Sequence, residues 1–329
     1  METVMAILRW VIGIGVAAWL ATLVLDLIGP TVAADLTVRP VEVPQADGLE
    51  DWLAEAEAGV PDLRPEAAKQ IVWAGAPGTR SDWVVVNLHG FSASREELRP
   101  LPDLVAERLG ANLFLTRLAG HGRDGAAMAE PQVADWVDDL AEAVAVGRAL
   151  GDRVLLLGSS TGGTLAVLAA ADPELSEALA GVVLLSPNLR VAGWGGRLIE
   201  WPGAAAWGPL LIGTERSFEP RSAGHAEHWT TRYPTRAVAV LGALTHAVRG
   251  LDMGAITVPA LVAVSGRDEV IDGRAAVRAA AEWGARSELV PVTLAVGDDP
   301  SGHVLAGDIL SPATTAPLVE RIVGWVRGL

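Results

Sequence analysis

The chain of 329 residues contains no cysteine, which excludes disulfides and thiolate chemistry. That absence neither requires nor forbids an oxidising compartment. Basic side chains are scarce: 25 lysines and arginines stand against 40 aspartates and glutamates, a formal charge of -15, and Lys69 is the only lysine. Nucleic acid is therefore not expected as a partner, because phosphate binding needs basic patches. No repeat or long low-complexity segment is present. What is plentiful is apolar residue, 50% of the chain, enough to bury a sizeable core. Strands alternating with helical stretches from Trp83 onward argue for one large domain rather than two independent folds.

The most informative stretch runs from Val154 to Ala171. An apolar strand, Val154-Leu155-Leu156-Leu157, leads straight into Gly158-Ser159-Ser160-Thr161-Gly162 and then into the helix-forming segment Thr164 to Ala171. The pentapeptide alone is a weak signal that an ordinary glycine-rich turn would also give, but G-x-S-x-G between a buried strand and a small-residue helix has the form of a nucleophile elbow. Such a turn lifts the central serine, Ser160, out of the sheet and exposes its hydroxyl. Gly158 and Gly162 flank it because so tight a turn leaves little room for a Cβ. The unpaired N–H groups and the dipole of the following helix favour negative charge developing near Ser160. The chemistry expected is acyl transfer through a serine.

An acid and then a histidine should follow the serine in the chain. Ala260 to Ser265 reads as a buried strand with Gly266-Arg267-Asp268 at its C-terminal end, where open parallel sheets place their functional groups. Asp268 is the favoured acid, with Asp272 as the competing carboxylate. Leu289 to Val296 reads as the next strand, and His303 follows the loop Gly297 to Gly302. A histidine there can be oriented by the acid through one ring nitrogen while the other takes the serine proton. His225, His228 and His246 precede the acid's strand, fall outside this order, and read as structural or surface residues.

Trp83 to Leu88 is a further strand, and His89-Gly90-Phe91-Ser92 follows it directly. Gly90 lets the backbone come close to a bound carbonyl, and the N–H groups of Phe91 and Thr161 are the expected oxyanion donors. His89 reads as a loop residue rather than a proton carrier. The loop Arg117 to Gly122, after the strand Asn112 to Thr116, is placed on the same side of the site.

His89-Gly90-Phe91, Gly120-His121-Gly122, Gly158 to Gly162, Gly266-Arg267-Asp268 and Gly302-His303, in this order, resemble the α/β-hydrolase superfamily. The resemblance is closest to its bacterial lysophospholipase, monoacylglycerol lipase and carboxylesterase-like members, and covers roughly residues 70 to 329. It implies an α/β-hydrolase fold: a mostly parallel sheet with helices on both faces. Thr161 departs from the bulkier residue that other members often carry after the nucleophile, which leaves the acyl preference open.

The N-terminus reads as a separate module. Trp10 to Leu25 carries no charge, and extended past Asp26 to Ile28 it gives a helix of about 28 Å, which predicts a transmembrane helix. Arg9 before the run and Asp26 and Asp35 after it favour an extracytoplasmic hydrolase. Cleavage at Val32-Ala33-Ala34 as a signal peptide, with secretion, is the alternative. The expected division is an anchor or signal peptide with linker at 1–34 and a hydrolase domain at 35–329. Pro40 to Pro44 reads as an extended linker, and Gly48 to Ala58 as a short solvated helix. Between Pro187 and the strand near Ala260 an inserted lid is expected at about 188–256, carrying Trp194, Trp201, Trp207 and Trp229. The rings either line an acyl pocket, touch a membrane surface or pack the lid onto the sheet.

The expected function is hydrolysis of carboxylic esters with an acyl chain. Ser160, His303 and Asp268 serve as the triad, Phe91 and Thr161 as oxyanion donors, and no metal or organic cofactor is implied. The partners expected are a small-molecule or lipid ester and a membrane held through the N-terminal helix. A thioesterase or amidase with the same triad is one alternative, and a catalytically silent binding protein is the other.

Overall fold

Seven strands form the central sheet of the computed structural model, which describes residues 2–28, 32–201 and 203–329. In chain order the strands are β1 (Gln70–Val72), β2 (Ser81–Leu88), β3 (Asn112–Leu115), β4 (Gly151–Ser159), β5 (Leu179–Leu185), a small hairpin of β6 (Glu215–Ser217) with β7 (Arg232–Pro234), β8 (Ala260–Ser265) and β9 (Ser287–Val292). The order across the sheet is β1-β3-β2-β4-β5-β8-β9, parallel throughout except for β1 against β3. The chain leaves β2 for β3 on one side and returns to β4 on the other. The carboxyl ends of β2 and β4 therefore flank a topological switch point, where open α/β sheets bind ligands.

The strands are near-continuous apolar runs because both faces of the sheet are covered. Val84, Val86, Leu88, Val154, Leu156, Val182, Leu184 and Val262 point to one core, while Val85, Leu155, Leu157, Val183, Leu185, Leu261 and Ala263 point to the other. Side chains alternate faces with a period of two, so one strand feeds both cores. The helix Val133–Leu150 seals the first face with Trp136, Val137, Leu140 and Val144, and the helix Pro312–Val326 seals the second with Leu318, Ile322 and Trp325. This matches the expected parallel sheet with helices on both faces.

The N-terminal expectation is corrected. A helix does run from Glu2 to Ile28, yet among the described residues no helix is long and apolar enough to cross a membrane. The physical reason is charge placement: between Arg9 and Asp26 the uncharged stretch covers about 24 Å at 1.5 Å per residue, short of a hydrocarbon core of ~30 Å. The transmembrane helix, and a membrane partner held through it, are not supported.

The helix Leu49–Ala58 also differs from the solvated element expected. Leu49 and Leu53 are buried in the core and Glu57 is buried in a two-pronged pair with Arg117, at 2.7 and 2.9 Å. Residues 186–259, between β5 and β8, hold the short helices Gly193–Leu198, Ala204–Ile212 and Ala223–His228, the β6-β7 hairpin and the longer helix Arg236–Arg249. Val240, Leu241, Leu244 and Val248 of that last helix belong to the core, so it is a fixed wall against which the helix Ala204–Ile212 and β7 pack.

Candidate active site

Ser160 sits between the end of β4 and the helix Thr161–Ala171 with φ +51° and ψ -111°, a conformation that L-residues rarely adopt. The flanking glycines are required by space. A Cβ on Gly158 would lie 2.3 Å from the Gly162 carbonyl oxygen, and one on Gly162 would lie 2.0 Å from the Leu88 carbonyl oxygen. The strained turn is held because the Ser160 N–H donates to the Leu185 carbonyl at 3.0 Å and the Ser160 carbonyl accepts from Thr164 N–H at 3.0 Å.

The ring of His303 bridges the serine and the acid. Its Nε2 lies 2.9 Å from Ser160 Oγ and its Nδ1 2.9 Å from Asp268 Oδ2. Asp268 follows β8 and His303 the loop after β9, so the ends of β4, β8 and β9, with β5 between β4 and β8, deliver the three groups to one edge of the sheet. Asp268 is itself held: its Oδ1 accepts the N–H groups of Val270 and Ile271, each at 2.9 Å. Burial alone would push the His303 imidazole down. The hydrogen bond and charge of Asp268, then the charges of Glu97 and Asp299, outweigh it and hold the imidazole above its ordinary 6.5.

Asp272, the competing acid, stands elsewhere. It caps the helix Gly273–Glu282, accepting from Arg274 N–H at 3.2 Å and pairing with Arg274 Nε at 2.9 Å, and it makes no contact with His303. The Arg274 hydrogen bond lowers its carboxyl below the usual range.

Gly90 and Phe91 leave β2 beside Ser160; a Cβ on Gly90 would stand 3.2 Å from Ser160 Cβ. Thr161 opens the helix that follows the serine. The backbone N–H groups of Phe91 and Thr161 thus border the same corner of the sheet. His89 and His121 support this corner as neutral rings. His89 Nε2 accepts from Leu118 N–H at 3.1 Å and His121 Nε2 from Ser92 N–H at 3.0 Å, which leaves the ring proton of each on Nδ1. Burial pushes His89 down to about 4 and His121 well below its ordinary value.

Of the remaining histidines, His225 is packed against Phe218 and Trp229, and His246 is an exposed neighbour of Glu200. Two acidic residues join the site without a motif to mark them. Asp299 Oδ2 accepts the N–H groups of His303 at 3.1 Å and Val304 at 3.0 Å, which anchors the histidine loop. Glu97 is buried in the turn after β2, and burial pushes its carboxyl up to about 7. The only signal in the sequence is that Asp299 lies next to Ser301 and His303 in a short polar loop; Glu97 carries none.

A cavity of about 470 Å³ opens over Ser160 and His303, lined by Phe91, Trp229, Tyr233 and Leu310 among others. A second, more apolar cavity of about 500 Å³ shares Val191, Arg216 and Val238 with it and is walled by Trp194, Trp207, Leu198, Ile199 and Leu211. The four tryptophans therefore differ in use. Trp194 and Trp207 line the second cavity, Trp229 is buried in the core and against the first, and Trp201 is exposed.

Residues 79–291 match the family described as serine aminopeptidase, S33. Solved structures share the fold. One of the metagenome-derived lipolytic enzymes LipS and LipT is 24% identical with a TM-score of 0.65, over 81% of this chain and 100% of its own. A soluble variant of the monoglyceride lipase of Saccharomyces cerevisiae, bound to a substrate analog, is 13% identical with a TM-score of 0.60, over 79% of this chain and 90% of its own. The monoacylglycerol lipase of Paleococcus ferrophilus is 16% identical with a TM-score of 0.57, over 79% of this chain and 98% of its own. No curated protein sequence matches the chain.

Proposed function

We propose that the chain, which belongs to the α/β-hydrolase family described as serine aminopeptidase, S33, is a serine hydrolase acting on ester bonds, with Ser160, His303 and Asp268 performing the reaction. The observation that carries this reading is the His303 ring, 2.9 Å from Ser160 Oγ on one side and 2.9 Å from Asp268 Oδ2 on the other.

Ser160 Oγ attacks the ester carbonyl as His303 Nε2 takes its proton, and the oxyanion that forms is met by the N–H groups of Phe91 and Thr161. The imidazolium is stabilised by Asp268 and gives its proton to the departing alkoxide, leaving an acyl-enzyme and a free alcohol. Water then attacks the acyl-enzyme with His303 as base, releasing the carboxylic acid and restoring the serine hydroxyl.

The acyl chain is assigned to the apolar cavity that adjoins the catalytic one, in keeping with the lipolytic and monoacylglycerol lipase neighbours. Amide cleavage is the second reading, favoured by the family description. A free α-ammonium would need an uncommitted carboxylate in the catalytic cavity. Glu97 and Asp299 are both engaged by backbone N–H groups, which leaves Glu219 as the carboxylate of the catalytic cavity to meet it; the lipolytic neighbours favour the ester reading over this one.

Turnover of p-nitrophenyl esters from acetate to dodecanoate, beside the matching thioesters and anilides, tests it. Esters of medium or long chain should be preferred, and Ala239→Leu, a buried position in the wall of the second cavity, should narrow it and shift the optimum to shorter chains. A preference for anilides, or a chain-length optimum unmoved by Ala239→Leu, would overturn the substrate assignment.

A further inference from the structure

We propose that Glu97 is a positioning residue of the acyl-transfer site, one that holds the turn carrying the Phe91 N–H. The inference rests on the triad reading and deepens it. Glu97 is 2% exposed, and its Oε2 accepts the Gly90 N–H at 2.7 Å. The fit is close: a Cβ on Gly90 would meet Glu97 Oε1 at 2.8 Å. On the far side of Phe91, His121 Nε2 accepts the Ser92 N–H at 3.0 Å. The N–H groups before and after Phe91 are thus both tied to buried side chains, and the turn between them has one conformation in which to present the Phe91 N–H.

A buried carboxylate is costly unless cations or several donors satisfy it. No arginine or lysine acts on Glu97 among the described residues; the Ser159 side chain and the Gly90 N–H are its hydrogen-bond partners, and His303 is the charged group that acts on it. The arginines of its own loop are engaged elsewhere, Arg95 with Glu96 and Arg99 with Glu96 and Asp103. From the other elements packed around the imidazole, Asp268 faces it from the loop after β8 and Asp299 from its own loop. Glu97 is the third carboxyl group in that set, and the one on the side of the oxyanion corner.

Two variants test the role. Glu97→Ala removes the acceptor of the Gly90 N–H; Glu97→Gln keeps one. On a p-nitrophenyl ester, Glu97→Ala should lower kcat about 10- to 100-fold with KM changed less than about threefold, because the contact it supports is made only in the transition state. Glu97→Gln should recover kcat at alkaline pH to within about threefold of the parent.

Wild-type kcat in Glu97→Ala, a rise in KM in place of the fall in kcat, or a kcat in Glu97→Gln no higher than in Glu97→Ala would overturn the proposal. If Glu97→Ala does not fold, as read by circular dichroism, Glu97→Met, which fills the space without an acceptor for the Gly90 N–H, is measured in its place and should show the same fall in kcat. Ser160→Ala is measured beside them. Residual turnover in Ser160→Ala removes the triad reading itself, whereas an inactive Ser160→Ala beside unaltered Glu97 variants removes only the role of Glu97.

Discussion

Replacing Asp268 by asparagine should disable the enzyme while leaving its fold intact, and the structure says how. The carboxylate serves two kinds of donor: Oδ1 takes the Val270 and Ile271 N–H groups, each at 2.9 Å, and Oδ2 faces His303 Nδ1 at 2.9 Å. An asparagine has one carbonyl oxygen to place. Turned toward His303, it would leave two backbone N–H groups facing an NH₂, at about 1–3 kcal/mol for each unsatisfied donor. The oxygen therefore stays with the backbone and the amide NH₂ points at His303 Nδ1. That nitrogen must then accept, so the ring proton moves to Nε2, the atom facing Ser160 Oγ. The serine loses its base. In serine triads a wrong-tautomer histidine lowers kcat by about four orders of magnitude, equivalent to ~5.5 kcal/mol of transition-state stabilisation. Steady-state hydrolysis of a p-nitrophenyl ester measures the loss, with the melting temperature as a check on folding. Asp272→Asn is the control, because asparagine caps a helix as well as aspartate does. A loss below about tenfold for Asp268→Asn, or an equal loss for Asp272→Asn, would refute the reasoning.

The His303 imidazole is held above its ordinary 6.5, and only the neutral ring accepts the serine proton. The acid limb of kcat/KM should therefore have its midpoint above pH 6.5, and a midpoint below that value would show that burial outweighs the anions around His303. Because the folded-state value is the raised one, this histidine's contribution to stability is complete below the unfolded-state value and is lost as pH rises through the folded one; a buffer-pH series of melting temperatures checks the sign. Gly162→Ala should abolish activity and lower stability by about 3 kcal/mol or more, since its Cβ would stand 2.0 Å from the Leu88 carbonyl oxygen; a melting curve like the parent's refutes this. Trp136→Ala should cost about 3–5 kcal/mol in chemical denaturation, because the ring is fully buried and its Nε1 donates to the Ala119 carbonyl at 3.1 Å; a loss under ~1 kcal/mol would show that the site collapses around the gap.

Legibility in the sequence follows the range of the interactions involved. Ser160, Asp268 and His303 can be placed at one edge of a sheet because each comes directly after an apolar strand or its short loop, and parallel strands bring such ends together. The two cores are legible as a composition, but the assignment of Val84 to one face and Val85 to the other needs the register of the sheet. Glu97 is not legible. Its role depends on a loop folding back seven residues to meet Gly90, and nothing in Arg95-Glu96-Glu97 distinguishes the buried glutamate from its neighbour. Glu57 reads as part of a solvated helix for a similar reason, since its partner Arg117 lies sixty residues on. The N-terminal helix reads as a membrane span only when apolar residues are counted past Asp26, whereas the charges at Arg9 and Asp26 set the usable length.

The most direct measurement is covalent labelling of the purified protein with a fluorophosphonate probe, read by intact mass and by the peptide that carries the adduct. The parent protein and Ser159→Ala should each take up one label on the peptide containing Ser160, and Ser160→Ala should take up none. A label that persists in Ser160→Ala, or that sits on any other peptide of the parent, contradicts Ser160 as the nucleophile and with it the acyl-enzyme mechanism.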